Sequence, residues 1–180
     1  GAMLALTLNS AAQITINRSD WGNLVGSAFV QARDTTNLNL FSPGNAGANQ
    51  TWNLAAVGND SQDTTQILSP ANTICAASFP NATMAVGSTQ GASYIHDNNS
   101  VFELVGICGM LFDTTMTSIP INPPQKIFTF PSTYNTSFAG ESRMSLVFPG
   151  IPGFADSIKS VSITSFTSLI DGWGTLITPA

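Results

Sequence analysis

The stretch that decides the fold class is residues 159–180, Lys-Ser-Val-Ser-Ile-Thr-Ser-Phe-Thr-Ser-Leu-Ile-Asp-Gly-Trp-Gly-Thr-Leu-Ile-Thr-Pro-Ala. Val161 and Ile163 alternate with serine and threonine, which is the period-2 pattern of a strand with one buried face. After Ser165 the apolar positions change parity, which predicts a β-bulge. Asp171-Gly172 is a two-residue turn signal, because glycine tolerates positive φ without steric cost. The stretch therefore predicts a β-hairpin.

The rest of the chain repeats this pattern of short apolar runs separated by turns. Ten prolines and fifteen glycines divide runs of five to eight residues, which favours stacked sheets over alternating strands and helices. Residues 101–112 are apolar on both faces and predict a covered strand, whereas residues 120–124, with three prolines, predict a loop or edge. Residues 73–79 are a further short strand candidate. We predict an all-β fold, a two-sheet antiparallel β-sandwich of the Ig-like or jelly-roll type.

The composition excludes several classes of partner. Only 8% of the 180 residues are charged, and the net charge is −5 with five basic residues. Nucleic acid is therefore excluded, because binding it requires clustered lysine and arginine. Insertion into a membrane is also not expected, because the longest apolar run, residues 101–112, contains Glu103 and is too short to span a bilayer.

The amino-terminal residues 1–12 indicate export. Gly1-Ala2-Met3 has the appearance of an expression scar, and residues 4–12 are similar to the end of a signal peptide with small residues at Ser10 and Ala12. Cleavage after Ala12 would leave residues 13–180 as a single domain. The alternative is a short edge strand formed by residues 4–8. We expect a secreted or cell-surface protein.

Several ordered segments together resemble a known group of exported proteins. The segments are Gln13-Ile-Thr-Ile16, Ala48–Leu54, Leu104-Val-Gly-Ile107, Phe130–Phe138, Asp156-Ser-Ile-Lys159 and Asp171–Ala180. In this order they resemble the amino-terminal β-domain of Bacteroidetes proteins that carry a type IX secretion sorting domain at their carboxyl end. The sorting domain itself does not lie within these residues.

The resemblance implies a cellular location and a modular role. Proteins of this group are secreted or surface-attached, so we predict a non-catalytic structural or adhesive module whose partners are surface glycans or other cell-surface proteins. The group also carries O-glycans on serine or threonine after aspartate. The matching positions are Thr35, Thr64, Thr114 and Ser157. The alternative is that Asp-Thr and Asp-Ser pairs only form turns.

The sequence contains few of the residue patterns that catalytic sites require. The chain lacks a Gly-x-Ser-x-Gly nucleophile elbow, and His96, in a polar turn, is the only histidine. A glycan hydrolase needs two facing carboxyl groups, and Glu103 and Glu141 are the only glutamates. We therefore predict no enzyme and no cofactor, and keep a glycan hydrolase as the weaker alternative.

Ligand binding is the main alternative to a structural role. Trp21, between Asp20 and Gly22, is the tryptophan expected to be exposed, where its ring could stack on a sugar in a carbohydrate-binding module. Trp52 and Trp173 are predicted in the core, because tryptophan mainly fills interiors.

Metal binding and disulfide formation remain open from the sequence. Asn59, Asp60 and Asp63 form a weak calcium candidate, because they cluster oxygen ligands without EF-hand spacing. Ordinary turns, in which asparagine and aspartate bond their own backbone, are the favoured interpretation of these residues. Cys75 and Cys108 either form a disulfide, as exported proteins permit, or are two buried thiols.

Overall fold

The computed structural model describes residues 14–36, 44–112, 115–150 and 153–179, and the regular structure in them is almost entirely β-strand. The predictions for residues 1–12 and Thr114 lie outside these ranges. The strands are Thr15–Ile16 (β1), Ala28–Arg33 (β2), Gly47–Asn53 (β3), Ser61–Leu68 (β4), Met84–Ser88 (β5), Gly91–Asp97 (β6), Val101–Phe112 (β7), Thr115–Thr129 (β8), Ser132–Thr133 (β9), Ser137–Pro149 (β10), Ser157–Leu169 (β11) and Gly172–Ile177 (β12). Three short 3-10 helices lie at Arg18–Trp21, Pro70–Asn72 and Ala76–Ser78.

Eight strands form one antiparallel sheet in the order β11-β10-β8-β7-β6-β5-β4-β2. Two small sheets accompany it, antiparallel β1–β9 and parallel β12–β3. The all-β prediction is therefore confirmed, and the predicted strand at 101–112 coincides with β7. None of the helices in the described ranges is long and apolar enough to cross a membrane.

The predicted hairpin at the carboxyl end is wrong in its pairing. β11 pairs with β10 through an unbroken register from Ser137↔Leu169 to Pro149↔Ser157, so the predicted bulge after Ser165 is also absent. β12 instead runs parallel to β3, more than a hundred residues earlier in the chain. A period-2 pattern identifies a strand but not its partner, and Asp171-Gly172 separates two strands that belong to different sheets.

Two further local predictions are wrong. Pro120, Pro123 and Pro124 lie within β8, between β7 and β10, rather than in a loop or an edge. Pro120 is in register with Gly106 of β7, and the register is interrupted between Pro120 and Gln125. Pro123 and Pro124 therefore occupy an irregularity where no ladder hydrogen bond is required of them. Residues 73–79 contain a turn of 3-10 helix rather than a strand.

The core lies on both faces of the central strands. Met84 and Ala85, adjacent in β5, are both buried and must face opposite sides of the sheet. One side holds Ile67, Met84 and Ile95, with Leu24 packed against them. The other side is covered by residues 69–83, which leave the sheet after β4 and return as β5.

The covering segment 69–83 is attached to the sheet by three kinds of contact. The ring of Phe79 stacks on Tyr94 of β6 at a centroid distance of 4.2 Å. The Thr73 and Tyr94 hydroxyls are 2.6 Å apart in a buried hydrogen bond. A disulfide joins Cys75 to Cys108 of β7. Of the two alternatives left open by the sequence, the structure shows the disulfide.

Candidate functional site

Trp21 lies in an aromatic cluster at the end of the first 3-10 helix. Its ring centroid is 5.2 Å from Phe102, 5.3 Å from Phe128 and 4.9 Å from Phe130. The contacts with Phe102 and Phe130 are edge-to-face, the arrangement that aromatic quadrupoles favour. Trp21 is therefore half-buried rather than exposed, and phenylalanine rings occupy much of its surface. Trp52 and Trp173, which the sequence predicts in the core, are also half-buried.

A partly buried ion pair fixes the same helix to the sheet. Arg18 Nε is 2.6 Å and 2.5 Å from the two carboxylate oxygens of Asp97, and Arg18 Nη1 donates to the Gly22 carbonyl at 2.8 Å. The side chain of Asp97 is only 2% exposed. Such a charge is stable in the interior only when it is paired. Sequence reasoning missed this pair, because 79 positions separate the two residues.

A depression of about 270 Å³ lies next to this helix. Its lining combines amide, hydroxyl and guanidinium groups with one aromatic ring and one proline ring. The lining residues are Asn17, Arg18, Ser19, Asn99, Phe130 and Pro131. Amide and hydroxyl groups can exchange hydrogen bonds with the hydroxyls of a small polar ligand. The structure therefore places a concavity of mixed polar and apolar lining beside Trp21, the residue that the sequence selected for sugar binding.

A second concavity, of about 210 Å³, crosses four strands of the sheet. Leu104 and Ile107 of β7, Ile121 and Gln125 of β8, Ser142 and Met144 of β10, and Ser162 and Thr164 of β11 line it. Side chains from β7 and β11 share this space although two strands separate them in the sheet order. β8, whose register with β7 is interrupted between Pro120 and Gln125, lies between them.

The weak calcium candidates serve different local roles. One Asp60 oxygen accepts hydrogen bonds from Thr35 N at 2.7 Å and Thr35 Oγ1 at 3.0 Å, as well as from Thr36 N. Asp63 pairs with Arg33 on the neighbouring strand at 2.5 Å. Within the described ranges, no group of three or more histidine, cysteine, aspartate or glutamate residues could hold a metal ion.

The environment of Asp60 favours its ionised form. The backbone N–H and then the hydroxyl of Thr35 stabilise the negative charge, which lowers the pKa of Asp60 below its ordinary value. Desolvation and the nearby charge of Asp34 oppose this shift without reversing it. Asp60 is therefore a capping carboxylate for the Thr35–Thr36 turn.

The candidate catalytic groups are not brought together. His96 Nδ1 is 2.9 Å from the Asn81 carbonyl, and its Nε2 is 3.0 Å from the Asn98 side chain. Glu103 is in register with His96 on one side and Lys126 on the other. Glu141, in contrast, is in register with Ser165 on the edge strand. The two glutamates are therefore not cross-strand neighbours.

The remaining sequence-selected positions are on the surface. Thr35, Thr64 and Ser157 are exposed, in a turn, on β4 and at the start of β11, respectively. Thr35 already donates its hydroxyl to Asp60. Their modification stays a prediction.

Comparisons with known proteins add no relative. The chain matches no protein-family model, and no curated protein or solved structure is significantly similar to it.

Proposed function

We propose that this chain is a non-catalytic structural or adhesive module of a secreted or cell-surface protein. The observation that carries the proposal is the ribbon formed by β10 and β11, which pair over thirteen residues. Val147, Val161 and Ile163 are exposed apolar residues on this ribbon, among serines and threonines. Exposed apolar side chains grouped on a polar surface are typical of a docking site for another protein or a surface.

An extracellular location is supported by the disulfide and the composition. Disulfides persist in oxidising compartments, and Cys75–Cys108 is weakly consistent with one. The surface is built from serine, threonine and asparagine with few charges. We retain the Bacteroidetes type IX resemblance as part of this proposal.

We also propose that the strands of this all-β fold form two packed layers, a β-sandwich. Strands that pass between packed layers do so at bulges or bends, and β8 is interrupted between Pro120 and Gln125. The concavity shared by β7 and β11 supports a sheet folded over at this point. Leu104 of β7 and Thr164 of β11 both line the concavity, although three strand spacings, about 14 Å, would separate them in a flat sheet. Proton contacts between their methyl groups, detected by NMR, would test it. A flat sheet would give no such contacts.

Adhesion is tested with beads that carry the purified chain. We expect them to adhere to intact Bacteroidetes cells, and the double variant V161S/I163S to reduce adhesion several-fold. The matched control is I158S, an exposed isoleucine of the same strand on the opposite face. Equal loss in the control, or hydrolysis of glycans by the purified chain, would refute the proposal.

Carbohydrate binding is the second candidate, favoured by the depression beside Trp21, which combines amide and hydroxyl groups with an aromatic ring. Asn99 lines this depression and is exposed, so its amide is available to a sugar hydroxyl. We expect wild-type protein to bind on an oligosaccharide array and N99A to lose that binding. N45A, at an exposed asparagine outside the depression, serves as the control. No binding by the wild-type chain would remove this candidate.

A further inference from the structure

β11 is an edge strand without the features that normally protect such strands. Natural edges are shortened, bulged, or interrupted by proline and charge. β11 has thirteen residues, no proline or glycine and one charged residue, Lys159. Its register with β10 has no irregularity. Eleven of its thirteen residues are exposed. Its outer side is therefore a long template for another strand.

The hydrogen bonds at the two ends of the ribbon establish which backbone groups face outward. Ile170 N donates to Thr136 O at 2.9 Å, and Gly150 N donates to Asp156 O at 3.1 Å. Both pairs continue the β10–β11 register, in which bonded and non-bonded positions alternate. Even-numbered residues of β11 therefore bond to β10. The N–H and C=O groups of the odd-numbered residues from Ser157 to Leu169 point away from the sheet.

We propose that β11 pairs antiparallel with β11 of a second copy of this chain, about a two-fold axis at Ile163. Full overlap places Ser157 opposite Leu169 of the second copy and every odd residue opposite another odd residue. The outward-facing groups therefore meet in the correct phase over the whole strand. Seven outward N–H groups on each copy provide about fourteen hydrogen bonds between the two chains.

The side chains in this register are compatible with a second copy. Ile163 meets its own counterpart, and Val161 meets Ser165, so an apolar strip continues across the axis. Lys159 lies opposite Thr167 and away from the other Lys159. Like charges directly opposite would destabilise the pair, and this register avoids them. The strand is thus self-complementary in backbone phase, shape and charge.

The other edge of the sheet is a poorer partner for β11. β2 has six residues, so it could pair with less than half of β11. Its last residue, Arg33, already forms an ion pair with Asp63. A β11–β2 contact would also be head-to-tail and would not close after two copies. The geometry therefore favours a closed dimer over a filament.

Sedimentation velocity over a wide range of protein concentration tests the dimer. We expect the wild-type chain to form a dimer and I163K to be a monomer with an unchanged circular dichroism spectrum. Ile163 is 58% exposed, so its replacement leaves the core intact. Two lysines would then face each other across the axis. Residue 163 is also in register with Arg143 of β10. I163E can pair with that arginine, so it keeps the ribbon intact, and it should also be a monomer because two glutamates then face each other across the axis. Mixing I163K with I163E should restore a dimer, because opposite charges then meet at the same position.

Two lysine variants serve as matched controls. S165K adds the same charge to the same edge but opposite Val161, and V30K adds it to β2, so both should remain dimeric. A monomeric wild-type chain, a dimeric I163K, or dissociation by V30K would each overturn the proposal. Sedimentation measures self-association whether or not the chain adheres to cells. Failure of the proposed dimer and failure of the proposed adhesive function are therefore distinguishable.

Discussion

Removal of the disulfide by the double substitution C75A/C108A should destabilise the chain strongly. The bond joins residues 33 positions apart and attaches segment 69–83 to β7. Closing a loop of this length removes about 4 kcal/mol of chain entropy from the unfolded state. Alanine at position 108 remains compatible with the apolar cluster of Phe79, Ala85 and Tyr94. We therefore expect a loss of about 4 kcal/mol in the free energy of unfolding.

Urea unfolding, followed by tryptophan fluorescence, measures this loss. With a slope near 2 kcal/mol per M, the midpoint should fall by about 2 M. Reductant should lower the wild-type midpoint by a similar amount and leave that of C75A/C108A unchanged. A loss below about 1 kcal/mol would refute the loop-entropy argument. Equal sensitivity of the wild-type and variant chains to reductant would refute the assignment of the effect to this bond.

Three further changes test the packing, the ion pair and the turn. G106A should cost about 3 kcal/mol or more in urea unfolding, because the added methyl group would overlap the ring of Phe79. D97N should cost roughly 3 kcal/mol in the same assay by leaving Arg18 without its buried partner; an unchanged midpoint would contradict the structure. Because the pKa of Asp60 is lowered, its stabilising effect is present above pH 3.8 and lost as the pH falls through the folded-state pKa. The difference in urea midpoint between wild type and D60N should therefore shrink in acid, and a constant difference would contradict this.

The sequence identified strands much better than it identified their partners. Alternation in residues 159–177 correctly indicated two strands, since each β-residue contributes to one face or the other. Pairing depends on contacts between distant segments, such as β12 with β3. The sequence pattern was also misinterpreted at the parity change before Phe166. In the structure both faces of β11 carry apolar residues, so the change marks a second face and not a bulge.

The candidate site was also predictable only in part. Trp21 was selected because it stands between Asp20 and Gly22, but its partners, Phe102 of β7, Phe128 of β8 and Phe130 just after β8, could not be found by local spacing. The ion pair Arg18–Asp97 likewise joins segments that only the fold brings together. Proline was misleading in β8, because a strand can contain it wherever the ladder is interrupted.

The exposed edge strand β11 is the feature of the fold from which the proposed dimer follows. β11 has thirteen residues, and its outward hydrogen-bonding groups pair with no other strand in the described part of the chain. Such an edge is costly for a monomer, because it invites non-specific association. Lys159 is the only charge on β11, and in the proposed register it is the position that most needs a neutral partner. Thr167 provides one. If the edge instead needed protection from pairing, a charge on β11 itself at or beside Ile163 would be the effective position for it, whereas Arg143, in register with Ile163, lies one strand further into the sheet. The placement of the single lysine near the end of β11 therefore favours pairing over protection.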